Sequence, residues 1–414
     1  MSKNILTYIK IGMSLTQLIA STPADSYLYG TPRKNAFLAR FSCRVPYATE
    51  MIRMDFQSYT APGKGSLIIP RKGDLLTNIF IQVDMKKLST TGTQFFPIEN
   101  LIAGVRLYIG GQLIEQFDNN YIRIRNSLFT DNAEKDAILT MEEFESTDAD
   151  GMIRSLWLKL PFWFNTTSLA LPLIALQYHE IRLEFDFQDP NNIPGINPSF
   201  SPIITAWGEY AFLPTEERIL FATKPHKYVI EQTQTNNFVS KISTTTSATT
   251  KYTLPFNLPV KYLLFVFRQE DVFGIYSGDT TVGLSADDKY TPLQSAKIQI
   301  NGIDRFAEQP GSYFRLIEPY RVLKSVPPAG MYSYFFAKEP LNVHSSSGTL
   351  NFSAIDTVTL IVTTKTASAA TTGNVLNEQT SVSSAANLNI FTVIARSMNI
   401  LRIEYGMGGV EFAN

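Results

Sequence analysis

Cysteine is all but absent: Cys43 stands alone among 414 residues, so no intrachain disulfide can form and a disulfide-stapled secreted framework is excluded. An excess of charge of either sign is missing too. With 36 basic and 37 acidic side chains the formal net charge is -1, which leaves no electrostatic ground for direct binding to nucleic acid. No run of 18 apolar residues occurs, so no transmembrane segment is expected. The nearest approach lies at the start, where Ile5, Leu6, Ile9, Met13, Leu18 and Ile19 form an apolar stripe interrupted by Lys10 and Gly12. A signal peptide needs an unbroken apolar centre, so residues 1–24 are read as an arm that packs on another surface.

Catalytic and metal motifs are equally scarce. The three histidines, His179, His226 and His344, make no metal spacing, and the His179-Glu180 pair fails the H-E-x-x-H pattern because position 183 is Leu183. Asp148-Ala149-Asp150-Gly151 lacks the downstream ligands of a calcium loop and reads as a solvated turn. Neither a G-x-S-x-G nor a Walker sequence is present, and Gly406, Gly408 and Gly409 read as a tight bend in the last strand. Cys43 reads as core packing. Glu142-Glu143 and Glu216-Glu217 are the paired carboxylates a glycosidase would need. Neighbours in a strand face opposite ways, however, and in a charged loop they face water. No catalytic residue, cofactor or metal is therefore assigned. Asn165-Thr166-Thr167 and Asn351-Phe352-Ser353 match the N-glycosylation sequon, making Asn165 and Asn351 candidate acceptors, although a cytoplasmic product would not meet the glycosylating enzyme.

What the chain does contain is strand material. Aromatics make up 12% of it, and β-branched residues crowd short runs separated by Gly, Pro, Asn and Asp, the pattern of an all-β protein with few helices. Alternation marks strands at Ile79 to Met85, Val105 to Ile109, Ile181 to Phe187, Ala296 to Ile300, Thr357 to Val362 and Ile400 to Tyr405. The segment Leu156 to Phe187 reads as a strand, a Pro-bounded apolar corner and a second strand in which Ile181, Leu183, Phe185 and Phe187 share one face, together forming one wall of a sheet.

The chain is 44% hydrophobic and longer than one core usually serves, so two domains of about 200 residues are expected. A faint repeat agrees. VRLYIGGQLIEQFDNNYIRI from Val105 and AKIQINGIDRFAEQPGSYFRL from Ala296 each run from an alternating strand through a glycine hairpin into a short amphipathic segment. Tyr121, Ile124 and Leu128 hold helical spacing in the first copy; Phe314 and Ile317 do so in the second until Pro319 is expected to end it. The strand pattern stops near Ala211 and is expected to restart at Tyr252, which places a linker at 214–228 between domains at 25–213 and 229–414. Ser243 to Thr250, Thr363 to Asn389, Asp189 to Pro202 and Asp271 to Pro292 read as exposed loops.

Several segments, in order, carry a resemblance. They are IPRKGDLLTNIFIQV from Ile69, GVRLYIGGQLIEQFDNNY, LPFWF followed by LALPLIALQYHEIRLEF, FLPTEERILFATKPHKYVIEQ from Phe212, INGIDRFAEQPGSYF, YSYFFAKEP from Tyr332, SGTLNFSAID from Ser347 and the ending NILRIEYGMGGVEFAN. Over roughly residues 25 to 414 the chain resembles the double jelly-roll major capsid proteins of nucleocytoplasmic large DNA viruses. It departs at Asn165 to Ser168, where that family commonly carries a cysteine and an Arg/Asn/Pro/Gly stretch.

The resemblance implies two tandem eight-stranded jelly-roll β-sandwiches with a few short helices in loops, and no enzyme activity. It implies a homotrimeric, pseudo-hexagonal capsomer that tiles an icosahedral shell against neighbouring capsomers and minor capsid and penton proteins, made and assembled in the host cytoplasm and residing in the virion capsid. Two alternatives stand beside it: a minor capsid or scaffold double jelly-roll protein, and a jelly-roll glycan-binding protein or glycosidase suggested by the polar loops.

Overall fold

The computed structural model describes residues 20, 22–24, 27, 45–60, 62–87, 97–144, 148–190, 193, 197, 200–240, 247–268, 292–327, 330–343, 345–365 and 390–412. Most of the N-terminal arm, Cys43, His344 and the loop segments 271–291 and 366–389 lie outside them. Every sheet belongs to the compact unit Tyr47–Asn414.

Strands of the first half are β1 (Ala48–Met54), β2 (Ser58–Tyr59), β3 (Gly63–Ile68), β4 (Leu75–Lys86), β5 (Ile102–Ile109), β6 (Gln112–Asp118), β7 (Ile153–Lys159), β8 (Leu171–Pro172), β9 (Ile181–Phe187) and β10 (Ile203–Phe212). Sheet I has the order β1-β10-β4-β7, with β8 added to β4, and sheet II the order β2-β3-β9-β5-β6. The second half holds β11 (His226–Val239), β12 (Ala248–Thr253), β13 (Pro259–Arg268), β14 (Leu293–Ile300), β15 (Ile303–Asp304), β16 (Gln309–Pro310), β17 (Met331–Phe335), β18 (Leu350–Asn351), β19 (Val358–Thr364), β20 (Ile390–Glu404) and β21 (Met407–Val410). Sheet III runs β11-β20-β13-β17, with β18 and β21 alongside, and sheet IV runs β12-β19-β14-β15, with β16 on β14.

Sheets I to IV thus hold five, five, six and five strands, more than eight per half. The additions β2, β8, β16, β18 and β21 are only two to four residues long and extend edges or turns. Counting the other strands along the chain, each half places its first, eighth, third and sixth strands in one sheet and its second, seventh, fourth and fifth in the other. All pairings are antiparallel. This shared order is that of a jelly roll, and it explains the repeat: both copies are the hairpin between the fourth and fifth strands plus the segment that follows.

Alternation produces the sandwich. In β4, Ile79, Ile81, Val83 and Met85 are fully buried while Phe80, Gln82 and Asp84 lie half-buried on the other face. In β9, Ile181, Leu183, Phe185 and Phe187 are buried and meet the inward residues of β4 in one core. The two hairpins turn as their residues demand: Gly110 and Gly111 have φ of 58° and 82°, Asn301 and Gly302 of 49° and 80°. Positive φ at both central positions matches the right-handed strand twist, and glycine and asparagine tolerate it best.

Some expectations fail for identifiable reasons. Leu156 to Phe187 is not one wall, because β7 lies in sheet I and β9 in the facing sheet II, so its corner crosses the sandwich. The strand pattern restarts at His226, not Tyr252. The intervening β11 is rich in Thr, Gln and Asn, and along it exposed and half-buried positions alternate on either side of a buried stretch at Ile230 to Thr233. Ala248 to Thr250 belong to β12 and Thr363 and Thr364 to β19, where they pair with one another rather than forming loop. Pro319 does not stop the second helical segment. The chain runs from a π-turn at Tyr313–Ile317 into the helix Glu318–Leu323 with Pro319 in its first turn, where no intrahelical N–H is required.

Candidate functional site

The two rolls meet through sheet III. Along β13, Val260, Leu263, Phe265 and Phe267 point into the second roll's own core, whereas Tyr262, Leu264 and Val266 join the core of the first roll. Residues of β17 divide likewise: Tyr332 and Tyr334 face inward, Met331 and Phe335 outward. A strand buried on both faces reads as a continuous apolar run, which is why YLLFVF shows no alternation.

The covering surface is an insert between β6 and β7. Its first helix, Asn119–Leu128, is capped by Asp118, whose Oδ1 accepts the Tyr121 N–H at 2.9 Å; a second helix spans Asn132–Glu142. Phe129, at the end of the first, packs on Tyr262 and Phe335 with ring centroids 5.0 and 6.3 Å apart. Lys135 Nζ donates to Ser325 Oγ of the second roll at 3.2 Å.

A buried polar network closes this junction. Arg396 of β20 donates to Glu115 of β6, to Thr233 Oγ1 at 2.6 Å and, through Nε, to Glu231 Oε2 at 3.1 Å, and it lies 5.4 Å from the Tyr121 ring centroid. Lys261 Nζ reaches Glu231 Oε1 at 2.5 Å. Gln232 Nε2 donates to the Ile114 carbonyl, and Asn399 Nδ2 to Gln232 Oε1 at 2.8 Å. Burial pushes the Glu115 carboxyl up to about 7 against the opposing pull of Arg396. Burial also raises Glu231, but Arg396 and Lys261 outweigh it and hold that carboxyl below its ordinary value. Such a network gives the junction one register, because each misplaced partner leaves a buried charge unpaired.

The C-terminal hairpin β20–β21 forms a second seam. His179 Nδ1 lies 3.1 Å from the Gly408 nitrogen, Tyr178 N donates to the Gly406 carbonyl at 3.0 Å, and Val410 N donates to Gln112 Oε1 at 3.2 Å. A Cβ at Gly406 would stand 2.6 Å from the Tyr178 ring, and one at Gly408 2.6 Å from Leu176 Cδ2. These glycines therefore allow close approach as well as a bend.

The residues singled out for chemistry do not converge. Glu216, exposed, and Glu217, half-buried, lie in the first turn of the helix Thr215–Thr223. Glu142 and Glu143 do not face water: both are buried with Glu99 and Arg123, because the insert folds back over them. Burial and the neighbouring Glu99 hold Glu142 well above its ordinary value. Asp148 is half-buried and paired with Arg154 at 2.8 Å, so its turn is not simply solvated. Asn165 is half-buried, its Nδ2 donating to the Leu160 carbonyl at 2.7 Å; Asn351 is exposed and its Oδ1 accepts Ser353 N–H at 3.1 Å. Among the described residues no group of three or more His, Cys, Asp or Glu is placed to hold a metal ion, and no helix is long and apolar enough to cross a membrane. Sequence reasoning missed Arg396 and Glu115. Their signal is a charge among the buried positions of a strand, legible only once its face is known to be buried.

Two jelly rolls of identical strand order, fused through a doubly buried sheet, define a double jelly-roll protein. Comparison with known proteins narrows this. Residues 217–409 match the family described as large eukaryotic DNA virus major capsid protein, and residues 39–214 match the major capsid protein N-terminus. The major capsid protein of Paramecium bursaria Chlorella virus 1 is 36% identical over 97% of this chain and 99% of the relative. That of Pyramimonas orientalis virus is 30% identical over 98% and 100%. The quasi-atomic PBCV-1 virus capsid structure superposes with a TM-score of 0.84 at 34% identity, covering 92% of this chain and 100% of that one. The Faustovirus major capsid protein, at 11% identity and a TM-score of 0.68, shares the fold. The chain belongs to the major capsid protein family of large eukaryotic DNA viruses.

Proposed function

We propose that this chain is the structural block of an icosahedral virion shell and acts by assembling as a homotrimer, not by catalysis. The observation that carries this reading is the junction itself. One roll presents a sheet face and the other a helical insert, so the contact is heterologous, and a heterologous contact whose rotation closes generates a ring. Three chains supply six rolls and hence a pseudo-hexagonal capsomer that can tile a shell. The name borne by the relatives, major capsid protein, supports the same reading.

The finer parts of the proposal are a first roll at 25–213, a linker at 214–228, a second roll at 229–414, an arm at 1–24 that contacts neighbouring or minor capsid proteins, and contacts of the capsomer with penton proteins. Assembly would take place in the host cytoplasm. Multi-angle light scattering at micromolar concentration should give the mass of three copies, and electron micrographs should show six-sided blocks. A stable monomer under these conditions would count against the reading.

A further inference from the structure

A cavity of about 350 Å³ opens where the insert of the first roll, the corner at 161–169 and the segment 340–343 of the second roll come together. Its apolar lining comes from several elements: Phe162 and Trp163 from the corner, Phe129, Ile138 and Met141 from the insert, and Tyr262 from β13. Small-molecule sites begin at about 300 Å³ and share this mostly apolar, aromatic lining with a few placed polar groups. Asn165 and Thr166, part of the stretch in which the sequence departs from its family, line the cavity too.

Two cations border this space without a partner. Arg125, half-buried in the last turn of the helix Asn119–Leu128, and Lys159, at the end of β7, both line the cavity, and neither side chain makes a hydrogen bond or ion pair among the described residues. Lys159 stays open to solvent on one side, yet partial burial, and next the Arg125 guanidinium, hold its ammonium below its ordinary value against the pull of Glu134 and Glu209. The charges deeper in the cavity are already matched: Arg396 by Glu115 and Glu231, and Glu231 also by Lys261. Burial, and next Glu99, favour the protonated form of Glu142. Glu134 is left against two cations, so the lining carries a net positive charge that an anion would neutralise.

We propose that the cavity binds an apolar carboxylate, its head group held by Arg125 and Lys159 and its body among Phe129, Phe162, Trp163 and Tyr262. Two neighbouring cations hold one carboxylate through charge-assisted hydrogen bonds, the stronger kind, while the rings take the apolar body out of water. Because the walls belong to both rolls, an occupant ties them together, and binding to the folded chain alone raises its melting temperature by mass action.

Full-length protein is titrated calorimetrically with naphthoate and octanoate, and with naphthylmethanol and octanol as their uncharged counterparts. The expected result is a single site per chain that prefers the carboxylate over its alcohol, with affinity lowered about 10-fold or more in Arg125→Met and likewise in Lys159→Met. Whether naphthoate or octanoate binds more tightly identifies an aryl or an alkyl body. Both substitutions remove side chains that have no partner, so melting curves without ligand should match the wild type. With isotope-labelled methionine methyl groups, naphthoate should shift the Met141 signal through its ring current and leave that of the core residue Met54 in place. Equal binding of the alcohols, an unchanged Met141 signal, or variants that bind as tightly as the wild type overturn the site, as does absence of binding at millimolar concentration.

Discussion

Sheets I and III have the same strand order but opposite surroundings. In sheet III the third strand reads Tyr262 to Phe267 as an unbroken buried run; in sheet I its equivalent alternates Ile79, Phe80, Ile81, Gln82, Val83, Asp84, buried and half-buried by turns. One topology therefore serves two roles. Where a face is permanently covered within the chain it is largely apolar, with Arg396 satisfied by carboxylates. The outer face of sheet I instead keeps polar residues among large rings.

That difference can be tested from its strongest consequence downward. Leu183→Asp or Phe185→Asp puts an unpaired charge into the first roll's core at a cost of several kcal/mol, on top of the lost apolar packing and against a total stability of about 5 to 15 kcal/mol, so neither variant should fold. Soluble, folded protein from either variant would contradict the packing. At the junction, Arg396→Met strands Glu115 and should cost about 3 to 5 kcal/mol in urea denaturation. Adding Glu115→Met should recover much of that loss, since Glu231 keeps Lys261. Leu264→Ala should then cost about 2 to 5 kcal/mol, because the residue is as buried as any in either core. Thr205→Ala on the open face of sheet I should change the single chain's stability by no more than about 0.5 kcal/mol. Equal effects at these two positions would erase the contrast between the sheets.

The pH dependence follows from Glu115, whose carboxyl rises from 4.5 to about 7 on folding. Between those values the folded chain holds a proton that the unfolded chain releases, so this group's contribution to stability falls as pH rises, and the loss is complete above pH 7. Urea midpoints measured from pH 5 to 8 should show that decline in the wild type and a flatter profile in Glu115→Gln. The hairpins give effects of intermediate size. Gly302→Ala should cost about 1 kcal/mol for its left-handed backbone, since open space surrounds it. Gly110→Ala should cost more, because the new Cβ would fall 2.3 Å from His179 Nδ1.

Much of this was legible beforehand, and what was missed has physical causes. The strands of β4, β5, β9 and β14 announce themselves because one face of each meets a core and the other does not. Strand β11 hid because its buried positions include Gln232 and Thr233, which serve the junction network rather than an apolar core. Pro319 misled because proline is read as a terminator unless the helix start is known. The places of His179 and Asn165 were not legible in the sequence, because their partners lie on other segments or on backbone carbonyls. One lies beside Gly408 and the other ties a corner to Leu160.

The sequence by itself determined the periods, the two glycine hairpins and the twofold repetition, because each depends on local backbone preference or on which side of a strand is apolar. Only the tertiary structure decided that Leu156 to Phe187 crosses between sheets, that sheet III is covered on both sides, and that Arg396 meets Glu115 across 281 positions of chain. Alternation reports that a face is buried but not against what. The answer depends on how the crossovers bring distant strands together, and that is a property of the whole packed chain.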